Sequence, residues 1–255
     1  MKVVILAGGL GTRLSEETGI RPKPMVEIGG IPIICHIMKI YSYYGYNDFI
    51  ICLGYKGEMI KDYFLNYHSI SSDFTIDLKN NNLEIHKNKS ENWKVTLIDT
   101  GKNSMTGSRI SKIKKYTNNE SFMLAYGDCV SDVNIKELLK FHKKYNKTLT
   151  ITASQPKARW GALNISDGQV KSFKEKPKGD GKWINGGFMV CDNRVFQYIS
   201  DDDNCVFEQG PMDQIANDGE MSAYQHYGFW HPMDNLKDKS DLNNLWDSGI
   251  APWKK

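Results

Sequence analysis

After Met1 and Lys2 the chain reads Val3-Val4-Ile5-Leu6-Ala7-Gly8-Gly9-Leu10-Gly11-Thr12-Arg13-Leu14. The first four of these residues are all apolar, as in a strand buried on both faces, and a glycine-rich turn ending in a cation follows directly. Glycines let backbone N–H groups approach phosphate oxygens, and the planar donor fork of Arg13 matches phosphate geometry. The pattern is typical of a phosphate-binding loop, or of a plain tight connection between a strand and a helix.

The spacing of the glycines excludes two common nucleotide-binding loops. The dinucleotide motif G-x-G-x-x-G fails because Leu14 stands at its third glycine, and the Walker motif fails because neither Lys-Ser nor Lys-Thr follows Gly11. A second cation, Lys23, lies between Pro22 and Pro24, which stiffen the backbone around it. A stiff loop that carries a lysine is useful beside phosphate, so we place Lys23 with Arg13 in one candidate site.

Composition limits the classes of protein that the chain can belong to. Its 255 residues, 40% of them hydrophobic, suffice for a normal core, and we expect a single domain over residues 1–255. With 33 basic and 30 acidic residues, the formal charge of +3 is too balanced to suggest a nucleic-acid partner. Neither a membrane-spanning run nor a signal peptide is evident, which predicts a cytoplasmic protein without a membrane partner. Five cysteines without a C-x-x-C pair argue against a disulfide framework and a structural zinc site, and Cys35 and Cys52 are expected in the core.

The order of predicted elements indicates an α/β fold. Apolar strands alternate with amphipathic helices, such as the one behind Pro32 in which Ile34, Ile37, Met38 and Tyr41 share a face. This alternation predicts a doubly wound, mostly parallel sheet with a smaller mixed C-terminal part. The predicted strands are 3–6, 49–53, 95–98, 122–126 and 223–229. The predicted helices are 34–41, 58–65, one that begins at about 108, 135–142 and 236–246. A hairpin is expected across 79–82 and a turn at 179–181.

Carboxylates follow two of these predicted strands. Asp128 comes directly after 122–126, where open α/β sheets bind ligands, and Asp234 follows the last strand. Asp128 beside a phosphate site is useful if a cation lies between them, because bare carboxylate and phosphate repel; its alternative role is to cap a turn. Mg²⁺ commonly takes one or two carboxylates plus substrate phosphates. Glu175 and Lys176 form a charged pair just before Pro177. Their side chains either contact a ligand or are ordinary exposed charges.

An ordered set of motifs resembles the sugar-phosphate nucleotidyltransferases, and within them the glucose-1-phosphate cytidylyltransferase branch. The resemblance covers essentially the whole chain, from L-A-G-G-L-G-T-R-L at residues 6–14 to A-P-W-K at 251–254. Between these lie R-P-K-P-M, T-L-I-D-T-G, S-M-T-G, Y-G-D, E-K-P, W-I-N-G-G-F and H-P-M-D, in this order.

The resemblance implies a Rossmann-like fold, a homo-oligomer, often a hexamer, and a role in surface polysaccharide biosynthesis. It also implies a reaction in which CTP and a phosphorylated acceptor, by default glucose 1-phosphate, give a CDP-linked product and pyrophosphate with Mg²⁺ as cofactor. Carried over by motif, the catalytic cations are Arg13, Lys23 and Lys176, and the metal ligands are Asp128 and Asp234. The residues implied to bind the nucleotide are Leu6, Gly8, Gly9, Gly11, Thr12, Thr106, Gly107 and Arg109, with the last three facing the cytidine; those implied to bind the acceptor are Tyr126, Glu175, Lys176 and Asn185.

The chain departs from the pattern of this branch at three places. Cys129 follows Y-G-D where glycine is expected, Gly210 stands where E-Q-E-P has its second carboxylate, and Trp160 replaces a phenylalanine. These changes are either neutral or signs of a changed acceptor pocket, which would suit another sugar phosphate, a polyol phosphate, or a phosphorylated amine or amino acid. A nucleotide-binding regulatory protein without turnover is a further alternative, but the joint presence of the predicted catalytic and metal-binding residues favours an active enzyme.

Overall fold

The computed structural model describes residues 1–87, 90–156, 162–166, 168–174 and 183–255. The strands are β1 (Val3–Leu6), β2 (Glu27–Ile28), β3 (Ile31–Pro32), β4 (Asp48–Leu53), β5 (Asp73–Asp77), β6 (Asn82–Lys87), β7 (Lys94–Asp99), β8 (Phe122–Tyr126), β9 (Cys129–Ser131), β10 (Leu149–Ser154), β11 (Ala162–Ser166), β12 (Gln169–Lys174), β13 (Ile184–Cys191), β14 (Met221–His226) and β15 (Trp230–Pro232). The helices are α1 (Ser15–Thr18), α2 (Ile33–Tyr43), α3 (Gly57–Leu65), α4 (Tyr67–Ile70), α5 (Thr106–Lys112), α6 (Ile135–Tyr145), α7 (Pro211–Asn217) and α8 (Leu236–Asp247).

A seven-stranded sheet forms the centre of the molecule. Its strand order is β14-β10-β13-β8-β1-β4-β7. β1 pairs in parallel with β4 on one side and β8 on the other, whereas β13 runs antiparallel to both of its neighbours, β8 and β10. Because β14 is again parallel to β10 and β7 to β4, the sheet is mostly parallel with one reversed strand. The predicted class of fold is confirmed.

Alternate residues of β1 enter two separate cores. Val3 and Ile5 pack in the core that contains α2, α6 and Leu242 of α8. Val4 and Leu6 pack in the other core, with Ile110 of α5 and Ile215 of α7. Successive side chains of a strand point to opposite faces of a sheet, so helices cover this sheet on both faces. This is why the first strand is apolar throughout and does not alternate with polar residues.

Most of the predicted elements lie where the pattern places them. α2, β4, α3, β7, β8 and α8 match their predicted positions to within two residues, α6 extends three residues beyond its predicted end, and the predicted hairpin is β5 and β6. The helix predicted from about Ser108 begins at Thr106. The predicted strand 223–229 is wrong at its C-terminal end, because β14 ends at His226, a turn with Gly228 follows, and β15 begins at Trp230. The predicted turn at 179–181 lies outside the described residues.

The predictions for the cysteines and for membrane spans can also be compared with the structure. Cys35 and Cys52 are buried, and all five cysteines, each within the described ranges, are free thiols. Within those same ranges, no helix has the length and the apolar composition that crossing a membrane requires.

Candidate active site

A cavity of about 910 Å³ opens at the carboxyl ends of β1 and β8. It brings together most of the predicted site residues, although these are scattered over more than 200 positions of the chain. Glu175 and Lys176 lie outside the described residues, as does Trp160. The predicted residues on the cavity wall are Leu6, Gly8, Gly9, Gly11, Thr12, Arg13, Lys23, Thr106, Arg109, Tyr126, Asp128, Asn185 and Asp234.

The loop after β1 forms one wall of the cavity. Within the described part of the chain, the backbone amides of Gly8, Gly9, Leu10 and Gly11 donate to no protein acceptor. Position 8 has no room for a side chain, because a Cβ there would lie 2.2 Å from a guanidinium nitrogen of Arg109. Four neighbouring free amides at the end of a buried strand are suited to binding phosphate oxygens.

Arg109 holds this loop in place from behind. Its buried guanidinium donates to the carbonyl oxygens of Gly8, Leu53 and Gly101, each at 2.9 Å, and to Oγ1 of Thr100 at 2.7 Å. Burial lowers the pKa of Arg109 from its ordinary value. One side chain thereby joins the ends of β1, β4 and β7. Arg109 reaches the cavity wall, but these bonds give it a structural task that the sequence prediction did not include.

The expected position of Gly107 needs correction. Gly107 faces Cys205, whose Sγ would be 2.5 Å from a Cβ at this position, and it is not part of the cavity wall. Its lack of a side chain is explained by close packing of α5 against the loop that contains Cys205. Thr106, one residue earlier, does lie on the wall.

Lys23 lies between the two predicted metal ligands. Its Nζ donates to Oδ2 of Asp128 at 2.7 Å and to Oδ1 of Asp234 at 2.8 Å. A short turn of 3₁₀ helix, Lys23–Met25, presents the side chain, and Lys23 is only 9% exposed. Burial by itself lowers the pKa of Lys23, but the attraction and the hydrogen bonds of the two carboxylates outweigh burial, so its pKa is raised.

The pairing of β9 with β15 brings the two aspartates together. In this antiparallel pair Cys129 is opposite Pro232, and the amide of Met233 donates to the carbonyl oxygen of Asp128 at 2.8 Å. Asp128 immediately precedes one strand and Asp234 comes soon after the other, so their carboxylates converge on the same side.

The two carboxylates fit a divalent cation. Their oxygens already converge on one positive group, and carboxylate oxygens are the ligands that Mg²⁺ prefers. Among the described residues no group of three or more acidic, histidine or cysteine side chains is placed to hold a metal ion. A site with two carboxylates suits Mg²⁺ when substrate phosphates complete the coordination.

Arg13 extends from the same loop over the edge of this cluster. Its Nη1 is 3.6 Å from Oδ2 of Asp234, and 80% of its side chain is exposed. An exposed ion pair of this length contributes little to stability. The guanidinium therefore has little structural role and is accessible to an anionic ligand.

Polar side chains linked by hydrogen bonds form the opposite wall. The hydroxyl of Tyr126 donates to Oε1 of Glu208 at 2.5 Å, and Oγ1 of Thr106 donates to Oε2 of the same carboxylate at 2.6 Å. Nδ2 of Asn185 donates to the Tyr126 hydroxyl at 3.2 Å. The ring of Tyr126 lies against Gly187, where φ is +76° and a Cβ would be 2.5 Å from the ring. The second glycine of W-I-N-G-G-F is thus needed for both its backbone angle and its space.

The family follows from a comparison with known proteins. A family model described as nucleotidyl transferase matches residues 2–230. The chain belongs to the nucleotidyl transferase family. It is 54% identical to the glucose-1-phosphate cytidylyltransferase of Salmonella typhi over 255 residues, which cover 100% of this chain and 99% of the relative. It is 43% identical to the probable glucose-1-phosphate cytidylyltransferase of Bacillus subtilis, again over 100% of this chain and 99% of the relative.

A solved structure of similar fold is that of HddC from Yersinia pseudotuberculosis, with a TM-score of 0.71 and 26% identity, covering 96% of this chain and 99% of that one. This nucleotidyltransferase is therefore an enzyme whose fold agrees with the resemblance seen in the sequence.

Sequence reasoning missed Glu208 as a site residue of this nucleotidyltransferase. Its motif, Glu208-Gln209-Gly210-Pro211, was noted only for the missing carboxylate at Gly210. The structure shows that Gly210 is exposed at the start of α7, outside the cavity wall, with open space where a Cβ would be. Glu208 is the residue of this motif that lines the cavity. The only signal for it was its place next to the departure from the motif.

Cys129, the other departure within the described residues, is buried on the cavity wall. Its thiol donates to the carbonyl oxygen of Gly186 at 3.6 Å, and burial raises its pKa well above the ordinary value. A neutral, buried thiol is not a nucleophile at neutral pH. Cys129 thus acts as a small core residue behind Asp128.

Proposed function

We propose that this nucleotidyltransferase transfers the cytidylyl group of CTP to glucose 1-phosphate, with release of pyrophosphate. The observation that carries the proposal is the cluster of Lys23, Asp128 and Asp234 beside a loop of free amides. With a divalent cation on its two carboxylates, and with Arg13 beside it, this cluster would supply positive charge to a triphosphate and to a second phosphate brought next to it. CTP and glucose 1-phosphate are suggested by relatives that carry the name of that activity, among them those of Salmonella typhi and Bacillus subtilis.

The chemistry needs neither a general base nor a covalent intermediate. An oxygen of the acceptor phosphate is already an anion at neutral pH. It forms a bond to the α-phosphorus of CTP while the bond from that phosphorus to the bridging oxygen of pyrophosphate breaks. The obstacle is repulsion between the two groups of phosphates, so catalysis consists of alignment and charge neutralisation.

Each cation has a separate part in this scheme. The loop amides and Thr12 hold the triphosphate, and Arg13 stabilises the charge that develops on the departing pyrophosphate. Lys23 is proposed to contact the phosphates around the reacting phosphorus. Asp128 and Asp234 would hold Mg²⁺, which would supply positive charge to the phosphate oxygens. Lys176 is assigned by motif to the acceptor phosphate.

The other two walls of the cavity are proposed to bind different parts of the substrates. Thr106 and the adjoining loop, residues 102–105, are proposed to face the cytidine. Tyr126 and Asn185, together with Glu175, are proposed to face the sugar. Arg109 is placed behind the loop and supports the nucleotide wall through its bonds to the backbone.

We further propose that the protein self-associates through the β5–β6 hairpin. Phe74 and Ile76 of β5 lie opposite Ile85 and Leu83 of β6, so that four apolar side chains share one face. All four are exposed, at 37–50% of their surface. A two-stranded hairpin cannot cover its own apolar face, and a second copy is the partner that the family resemblance suggests. Ile76→Asp should lower the mass measured by light scattering to that of a smaller species; an unchanged mass would contradict the role of this face.

A steady-state assay of pyrophosphate release tests the activity. Each of the four NTPs is tested with glucose 1-phosphate, and CTP alone is the control for hydrolysis without acceptor. We expect CTP to be preferred, with kcat/KM of roughly 10⁴ M⁻¹s⁻¹ or more, the low end for ordinary enzymes. No pyrophosphate from CTP and glucose 1-phosphate would reject the proposal. A screen of other sugar phosphates, polyol phosphates, and phosphorylated amines and amino acids would then identify the acceptor.

A further inference from the structure

The carboxylate of Glu208 connects the nucleotide wall of the cavity to the acceptor wall. It accepts hydrogen bonds from Thr106 at 2.6 Å and from Tyr126 at 2.5 Å, one on each oxygen. Thr106 begins α5, whereas Tyr126 ends β8 and receives a further bond from Asn185 of β13. Glu208 itself belongs to neither of these elements, so it fixes both walls from a third part of the chain.

The backbone around Glu208 is held firmly on both sides. Phe207 is fully buried, and its amide donates to Oγ1 of Thr106 at 2.9 Å. A few residues earlier the carboxylate of Asp203 accepts from Ser104, Ser108 and Lys112. The hydrogen bonds of Lys112 and the two serines lower the pKa of Asp203 to about 2. Glu208 therefore cannot easily move away from the two hydroxyls.

Counting protons along these bonds fixes the direction of each one. An ionised carboxylate only accepts, so the single hydroxyl proton of Tyr126 is committed to Glu208. The Tyr126 oxygen accepts one N–H of Asn185, and the amide oxygen of Asn185 is taken by the amide of Gly187 at 3.0 Å. On Tyr126 and Asn185, the one proton left for a ligand is the second N–H of Asn185, which can only donate, whereas the Tyr126 oxygen has no proton to give and can only accept.

We propose that Glu208 is a positioning residue that sets this hydrogen-bond polarity and so selects acceptors with a hydroxyl that donates to Tyr126. The proposal rests on the proposed function, because it takes this wall as the one that faces the sugar phosphate. The class of acceptor that fits is a phosphorylated polyol or sugar. One of its hydroxyl groups would donate to the Tyr126 oxygen, and a neighbouring oxygen of the same molecule would accept from Asn185. Sites built around one substrate hydroxyl discriminate strongly against analogues that lack it, because buried polar groups are then left unpaired.

Glu208→Gln removes the fixed polarity with little change in shape. An amide has one acceptor oxygen and one donor nitrogen, so it cannot accept from both Thr106 and Tyr126. Where the NH₂ group faces Tyr126, the phenol proton is released and becomes available to the ligand. An acceptor atom that cannot donate, such as fluorine, is then tolerated at that position.

The experiment uses glucose 1-phosphate and its 2-, 3-, 4- and 6-deoxyfluoro analogues with CTP. In the wild type we expect kcat/KM to fall at least tenfold for the analogue whose fluorine meets Tyr126. In Glu208→Gln that ratio of hydroxyl to fluorine should shrink at least fivefold at the same position, with the ratios at the other positions changed less than threefold. Tyr126→Phe should lose the same discrimination, and Gln209→Ala, an exposed neighbour, should keep the wild-type ratios.

The possible outcomes separate the two proposals. Suppose that the wild type turns over glucose 1-phosphate. If both Glu208→Gln and Tyr126→Phe then keep the wild-type ratios, or lose activity uniformly at all positions, the role of Glu208 is overturned and the proposed function is not. If Glu208→Gln does not fold, Tyr126→Phe decides by the same criterion. Absence of turnover in the wild type with glucose 1-phosphate would overturn the proposed function and, with it, this assignment.

Discussion

The ammonium group of Lys23 lies 2.7 Å from Oδ2 of Asp128, although the two residues are 105 positions apart in the chain. The contact brings a cation from the 3₁₀ turn before β2 to the end of β8. A second carboxylate, that of Asp234, meets the same ammonium group at 2.8 Å. Positive and negative groups thus alternate across the cavity at the place where phosphates and a divalent cation would meet.

Asp128→Asn and Asp234→Asn are each expected to lower turnover by about 10³-fold, because several kcal/mol of charge stabilisation in the transition state depends on a bound cation. Excess chelator should have the same effect on the wild type. The fold should persist in both variants, as measured by circular dichroism. Asp247→Asn, an exposed residue at the end of α8, is the matched control. Turnover that survives chelation would contradict the metal assignment.

Arg13→Ala is expected to slow the reaction by roughly 10²–10³-fold, as the loss of one preorganised donor does in other enzymes. Stability should hardly change, because the side chain is 80% exposed and its ion pair with Asp234 is 3.6 Å long. Single-turnover kinetics measure the rate, and thermal unfolding measures the stability. A change in rate below threefold would place Arg13 outside the site.

Lys176→Ala is expected to affect the acceptor far more than CTP, because its motif matches the lysine that binds the acceptor phosphate. The KM for the acceptor should rise or kcat should fall, while the affinity for CTP measured by calorimetry stays near that of the wild type. Lys171→Ala, which removes an exposed lysine of β12, serves as the control. Loss of CTP affinity with an unaltered acceptor response would show that the role is wrongly assigned.

Arg109→Met is expected to lower the free energy of unfolding by about 3 kcal/mol, because buried carbonyl groups lose a charged donor. The acceptors left behind include those of Gly8 and Leu53. Urea denaturation provides the measurement. Arg21→Met, which breaks a single ion pair with Glu27 near the surface, should change stability by less than about 1 kcal/mol. If both substitutions lowered the free energy of unfolding equally, the role of Arg109 in joining the ends of β1, β4 and β7 would be contradicted.

His36 is expected to make the protein less stable in mild acid. Burial lowers its pKa, its Nε2 donates to the carbonyl oxygen of Ile28, and its Nδ1 accepts from Trp253. The unfolded chain, with a histidine pKa near 6.5, binds a proton that native His36 does not. Stability is therefore fully present above pH 6.5 and is lost as the pH falls below it.

Urea unfolding of the wild type and His36→Gln at pH 7.5 and 5.5 tests the contribution of this histidine. The loss of stability on acidification should be smaller in His36→Gln than in the wild type. The effects of all other titrating groups, including the buried His142, are common to both proteins. An identical loss in both would show that His36 does not contribute.

The sequence by itself determined the class of fold, and it predicted a phosphate-binding loop and two candidate metal ligands. These features depend on local patterns: four apolar residues in β1 require cover on both faces, glycines in residues 8–11 leave amides accessible, and Asp128 follows a strand directly. Local order also predicts the helices, since their apolar stripes recur with the helical period.

Only the tertiary structure decided which side chains work together. The link from Asn185 through Tyr126 and Glu208 to Thr106 joins four separate parts of the chain, and no spacing in the sequence encodes it. The same holds for Arg109, whose acceptors are mostly backbone carbonyls and so leave no mark in the sequence. The physical reason is that hydrogen bonds depend on distance and direction in space, which long-range strand pairing sets, whereas sequence patterns report only which faces must be buried.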